Sequence, residues 1–158
     1  MENLQYAILA QTNPTPDITP EIRAQTKTYC QSIIEQNRKN SQFFFDLLQS
    51  SANVYMKIWA IGALSEISTQ YYGEYDATMR NQVHEYYFQI LERNYLAILS
   101  DVYTTNSYAN LFCLILRQDF PEIWPTAFTR LFSLLNLEIC TTNETEKMRF
   151  ISKSYLST

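Results

Sequence analysis

The sequence predicts an all-α protein, an α-α superhelix of about four helix pairs, and three observations carry that expectation. Only two of the 158 residues are glycine, Gly62 and Gly73, which removes the usual supply of positive-φ positions for tight hairpins and phosphate-cradling loops. Apolar residues recur at intervals of three and four along most of the chain, the period of one helix face. Turn and cap residues punctuate that pattern at regular distances.

The first helix is expected from Asn3 to Gln11, with Leu4, Ala7 and Ile8 on one face, stopped by Asn13-Pro14-Thr15-Pro16. Thr19-Pro20-Glu21 supplies a capping hydroxyl, a proline at the first helical position and an acid for the positive dipole end, opening a helix with Ile22, Tyr29, Cys30 and Ile33 on its face. After a polar turn over residues 37–40, Ser41 caps a third helix holding Phe43, Phe44, Leu47 and Leu48. Asn53 caps a fourth, where Val54, Ile58, Ile61 and Leu64 form a stripe widened by Trp59, Ala60 and Ile67. It runs to about Tyr71, with Gly73 marking its end.

Asp76 opens the fifth helix, in which Met79, Val83, Tyr86, Tyr87, Ile90 and Leu91 repeat while Arg80, Glu85 and Glu92 lie off the stripe; the pattern continues through Leu96, Ile98 and Leu99. Thr104-Thr105-Asn106 breaks it and caps a sixth helix, whose run from Leu111 to Leu116 is apolar nearly all round and so is expected to be buried on most sides. Pro121 and Pro125 bracket a bend before a seventh helix with Ile123, Trp124, Phe128, Leu131, Phe132 and Leu135. Thr145 to Leu156 begins an eighth.

The first members of the pairs start near Asn3, Ser41, Asp76 and Pro121, in steps of 38, 35 and 45 residues. That spacing is close to the period of about 40 to 47 residues in HEAT and armadillo (ARM) solenoids, where each helix pair buries its apolar face on its neighbours. The formal charge of -4 gives no basic field for an autonomous nucleic-acid binder, so proteins are the expected partners. Cys30, Cys113 and Cys140 are far apart in apolar surroundings and suit reduced, buried thiols of a cytoplasmic or nuclear protein. No stretch approaches the roughly 18 apolar residues of a membrane span, and the start lacks the positive region of a secretory signal.

Three segments carry a resemblance. Asn106-Ser107-Tyr108-Ala109-Asn110 is followed by an apolar helix to Asp119 and then by Phe120-Pro121-Glu122-Ile123-Trp124-Pro125. Leu4-Gln5-Tyr6-Ala7-Ile8 is followed, after the proline-rich gap, by Arg23-Ala24-Gln25 and by the run from Thr28 to Ile33. Lys57-Ile58-Trp59-Ala60-Ile61 with Leu64 is the third. In order and spacing they resemble the amino-terminal domain of the importin-β-like karyopherins, and within it the exportins, most of all the tRNA exportins. Ser107 stands where the family usually has lysine, and Asn110 where it usually has glutamine.

The resemblance implies a segment of a longer nuclear export receptor that shuttles between nucleus and cytoplasm, with tRNA as cargo of the intact receptor and nucleoporins as further partners. In the family, the second helices of the first three repeats line a concave surface that binds the small GTPase Ran in its GTP form. By position this implies Lys27, Thr28 and Gln31, then Gly62, Ser65 and Glu66, then Ser107 and Asn110. A HEAT-type scaffold that binds protein segments without a GTPase shares the architecture and is the competing expectation.

No catalytic, metal or cofactor site is expected. His84 is the sole histidine, no serine or cysteine nucleophile has a sequence signature beside it, and no two of His84 and the cysteines stand at ligand spacing. Glu144/Glu146 and Glu74/Asp76 suit turn or cap acids, and Arg38-Lys39 a solvated turn. The tyrosine pairs Tyr71-Tyr72 and Tyr86-Tyr87 lie in acidic stretches that suit packing better than base stacking. An aromatic beside a proline, as in the segment from Phe120 to Pro125, is expected to fix the angle between packed helices.

Overall fold

A computed structural model describes residues 2–93, 95–98, 101–136 and 152, and the predicted eighth helix and Cys140 lie outside these. Among the described residues the ordered elements are all helical: α1 (Glu2–Thr12), α2 (Pro20–Gln36), α3 (Ser41–Ser50), α4 (Val54–Gln70), α5 (Ala77–Arg93), α6 (Val102–Asp119) and α7 (Ala127–Asn136), with short 3-10 turns at Tyr72–Glu74 and Tyr95–Ala97.

The helix starts show which local signals were sufficient. Thr19 Oγ1 accepts from Ile22 N, Asn53 Oδ1 from Tyr55 N and Asp76 Oδ1 from Met79 N, each side chain satisfying an amide that the first turn leaves unpaired. Ser41 is not a cap: it is buried at the first position of α3, and Asn40 precedes it without a side-chain bond to the helix. At α6 the cap is Asp101, whose carboxylate accepts from both Thr104 N and Thr104 Oγ1. The threonines expected to break the chain are therefore buried inside the helix. Gly73 does not end α4 as a left-handed residue, since no glycine among the described residues has positive φ; the chain tightens into the 3-10 turn instead.

A continuous core runs from Leu4, Ala7 and Ile8 through Phe44, Phe45, Ile61, Leu64, Tyr87, Phe88, Leu111 and Phe112 to Leu131. Helix α1 packs on α2 and α4, α3 on α4 and α5, and α4 on α6. The buried line of α2 is Thr26, Cys30 and Ile34, while Tyr29 is exposed and Ile22 and Ile33 are half-buried. Thr26 takes its place in that line because Gln11 reaches across from α1 and donates to its hydroxyl at 2.6 Å. The apolar run of α6 is buried as expected, apart from half-buried Leu114. Leu96 is exposed because α5 has ended at Arg93.

The charges set off the apolar stripe of α5 have specific roles. Arg130 of α7 donates to Glu85 at 2.6 Å and to Glu92 at 2.9 and 3.3 Å, with its guanidinium 4.6 Å from the Phe88 ring centre, so α7 is clamped to α5. The hydrogen bond to Glu92 above all, and with it Glu85, raises the Arg130 guanidinium further above its ordinary value, although burial opposes them.

Candidate functional site

Because α2 turns Thr26, Cys30 and Ile34 inward, Lys27, Thr28 and Gln31 face solvent. In α4 the inward set includes Ala60, Ile61, Ala63, Leu64 and Ile67, which leaves Gly62 exposed and Ser65 and Glu66 half-exposed. In α6, Tyr108, Ala109, Leu111 and Phe112 are buried, Ser107 is half-exposed and Asn110 exposed. All eight predicted residues thus lie on the outer sides of α2, α4 and α6.

The structure joins two of them directly. Gln31 Nε2 donates to Glu66 Oε1 at 2.7 Å, bridging α2 and α4. Tyr71 OH extends this seam by donating to Glu35 Oε1 at 2.6 Å, with the Arg38 guanidinium 5.5 Å from the Tyr71 ring centre. The hydrogen bond to Glu35 and the adjoining negative charges raise the Tyr71 phenol. Thr28 and Ser65 spend their hydroxyls on their own helices, donating to Ala24 O at 3.0 Å and to Ile61 O at 2.9 Å. Ser107 and Asn110 join the set through the packing of α6 on α4, where Gln118 Nε2 also donates to Ser68 O at 2.5 Å.

Gly62 stands out on this surface. It occupies the interior of a 17-residue helix, where glycine costs roughly 0.5–1 kcal/mol relative to alanine. No neighbour within the chain requires its small size, because a Cβ built there would meet nothing within 4 Å.

The most developed polar cluster lies elsewhere, and sequence reasoning missed it. Asp119, 0% exposed at the end of α6, receives three side chains. Tyr72 OH and His84 Nε2 each lie 2.6 Å from its Oδ2, and Arg80 Nη1 donates to Oδ1 at 2.5 Å. Arg80 also donates to the carbonyls of Tyr75 and Tyr72, both at 3.2 Å. The His84 ring stacks on Trp124 with centroids 3.9 Å apart and 3° between planes. Through its own carbonyl Asp119 shapes the following turn, accepting from Ile123 N at 2.7 Å and Trp124 N at 2.8 Å; the Phe120–Pro121 peptide in that turn is cis. The cluster therefore ties the segment after α4, helix α5 and the bend after α6 into one unit, and that bend is the aromatic-proline segment whose role was expected to be angular.

Burial acts to raise the Asp119 carboxyl, but hydrogen bonds from His84, Tyr72 and Arg80, with the charge of His84, outweigh it and hold the group below its ordinary value of 3.8. Burial first, then the bond to Asp119 and its charge, drive the Tyr72 phenol far above its ordinary value. The sign for stability follows. With the folded value depressed, the unfolded chain binds the proton first, so the contribution of Asp119 is complete above its ordinary value and is lost as pH falls through the folded one. Urea midpoints should drop between about pH 5 and about pH 2, and the drop should be smaller in Asp119→Asn.

Among the described residues no group of three or more His, Cys, Asp or Glu gathers to hold a metal, and no helix is long and apolar enough to cross a membrane. Cys30 is buried, which raises its thiol, and Cys113 is buried as well. The chain matches no protein-family model, no curated protein and no solved structure.

Proposed function

We propose that this chain is a HEAT/ARM-type α-α superhelical segment of a nuclear export receptor, and that the outer sides of α2, α4 and α6 bind Ran in its GTP form. It acts by binding and not by catalysis. In the intact receptor, which shuttles between nucleus and cytoplasm, tRNA is the cargo and nucleoporins are transit partners. The packing order supports the architecture: α1 lies on α2 and α3 on α4, first members meet in α3 and α5, and second members meet in α4 and α6.

The observation that carries the reading is Gly62. A solvent-facing glycine inside a helix, with open space around it, costs stability without helping the chain to pack. It bares helix backbone one turn before Glu66 on the predicted face, where a partner main chain can approach closely.

The test is binding of the purified chain to Ran loaded with a nonhydrolysable GTP analogue, with Ran-GDP as control. Gly62→Ala should raise the melting temperature by about 1–4 °C while weakening Ran-GTP binding roughly tenfold. Equal affinity of the folded chain for both nucleotide states would replace this reading with that of a GTPase-independent scaffold.

A further inference from the structure

Arg23 and Lys27 stand one turn apart on α2. With Gln11, Ile18, Pro20 and Ala24 they line an open cleft of about 560 Å³ beside the end of α1. The cleft has fixed walls. Gln11 Nε2 donates to Arg23 O at 2.7 Å and to Thr26 Oγ1 at 2.6 Å, and Thr19 caps the helix just below. Ile18, Pro20 and Ala24 give it an aliphatic part, and no acidic side chain lines it; Asp17 and Glu21 stand outside the lining.

Arg23 and Lys27, like Lys57, Arg93 and Arg117, make no ion pair among the described residues, and the two lie together on one cleft. Arg38 pairs with Glu35, Lys39 with Glu74, Arg80 with Asp119, and Arg130 with Glu85 and Glu92. Among the described residues Arg23 and Lys27 hold no carboxylate, although the chain carries 16 acids against 12 lysines and arginines. Two cations one turn apart, in a cleft that also offers Ile18, Pro20 and Ala24, complement a ligand with carboxylates next to an apolar side chain. Nucleic acid fits less well, because the lining offers no aromatic ring for a base and the cations are too few to track a phosphate backbone.

We propose that this cleft docks a short acidic segment of a partner protein, with a carboxylate on Arg23 and Lys27 and an apolar side chain over Ile18, Pro20 and Ala24. The inference deepens the proposed function, since Lys27 belongs to the predicted face. It rests on α2 being part of a partner-binding surface and not on that partner being Ran.

Fluorescence anisotropy of the whole chain with a short labelled peptide of Glu and Leu, against its Gln–Leu and Lys–Leu counterparts, tests it. The Glu peptide should bind at least about tenfold more tightly than the Gln peptide, and the difference should shrink at roughly 0.5 M salt. Arg23→Ala and Lys27→Ala should each weaken binding about threefold to tenfold, and the double change Arg23→Glu, Lys27→Glu should transfer preference to the Lys peptide. An unchanged helical circular dichroism signal checks that each variant is folded. Equal binding of the Glu and Gln peptides, full Glu-peptide binding by the double variant, or binding of a single-stranded RNA oligonucleotide in place of the peptide would each overturn the proposal. The two readings fail separately: Glu-peptide selectivity without nucleotide-dependent Ran binding sinks only the transport reading, and the reverse sinks only this one.

Discussion

Replacing Asp119 with alanine should cost about 3–5 kcal/mol, because it leaves the largely buried Arg80 guanidinium without its carboxylate and the buried His84 ring and Tyr72 hydroxyl without their partner. The side chain of Arg80 is only 15% exposed and that of His84 only 4%, so neither can turn to water without moving its helix. For a chain of this length a loss of about 3 kcal/mol corresponds to roughly 6–12 °C in melting temperature. Asp119→Asn should cost less, since the amide oxygen still accepts from one donor. Thermal and urea unfolding of the two variants distinguish the charge from the shape: both remove the charge and only asparagine keeps the shape, so equal losses would assign the whole effect to the charge.

Trp124→Ala should be nearly as damaging, about 3–5 kcal/mol, as expected for emptying a large aromatic site. Trp124 is 4% exposed, stacks on His84, and meets Phe88 and Phe112 edge-on at 5.6 and 5.5 Å between centroids. Trp124→Phe keeps the edge contacts but shortens the overlap with the imidazole, and should lose roughly half as much. Either Trp124 variant in a double-mutant cycle with Asp119→Asn should show non-additive losses, since both residues hold His84. Strict additivity would mean that the stack and the carboxylate act independently.

What was legible in the sequence was local. Thr19, Asn53 and Asp76 lie two or three residues from the amides they satisfy, so their capping roles need no knowledge of the fold. The period of the apolar residues located seven helices for the same reason, although the seventh begins only at Ala127, and Ile123 and Trp124, expected inside it, lie in the turn before it because their amides bond back to Asp119 O. The inward line of α2 was misjudged because Thr26, a polar residue, is held inward by a side chain from another helix, while Tyr29 has no neighbour to cover it. The cap of α6 was misplaced because Asp101 competed with two threonines that also suit a cap. The Asp119 cluster gave the faintest signal: the sole histidine stands beside Glu85 and the acid follows Arg117 and Gln118, so nothing in the neighbouring residues marks either as buried. Its members are 35, 39 and 47 residues from Asp119, a separation over which sequence carries no pairing information. The outward placement of the eight face residues followed from the helix phase, but the Gln31–Glu66 bridge, 35 residues apart, required the fold.

Helices α5 and α6 are joined at one point by a reciprocal exchange. Tyr87 OH donates to Tyr108 O at 2.8 Å, Tyr108 OH donates to Tyr87 O at 2.9 Å, and the two rings stack with centroids 4.3 Å apart. Burial raises both phenols well above their ordinary value, so the donors stay protonated. A slide of one helix along the other by a single residue, about 1.5 Å, would break both bonds together. The pair therefore works as a spline: it transmits force along the helix axes and allows no slippage. Ser107 adjoins Tyr108, and Asn110 lies two residues beyond it. On the proposed reading, a partner seated on those two residues would load α6 beside the point at which its register on α5 is fixed.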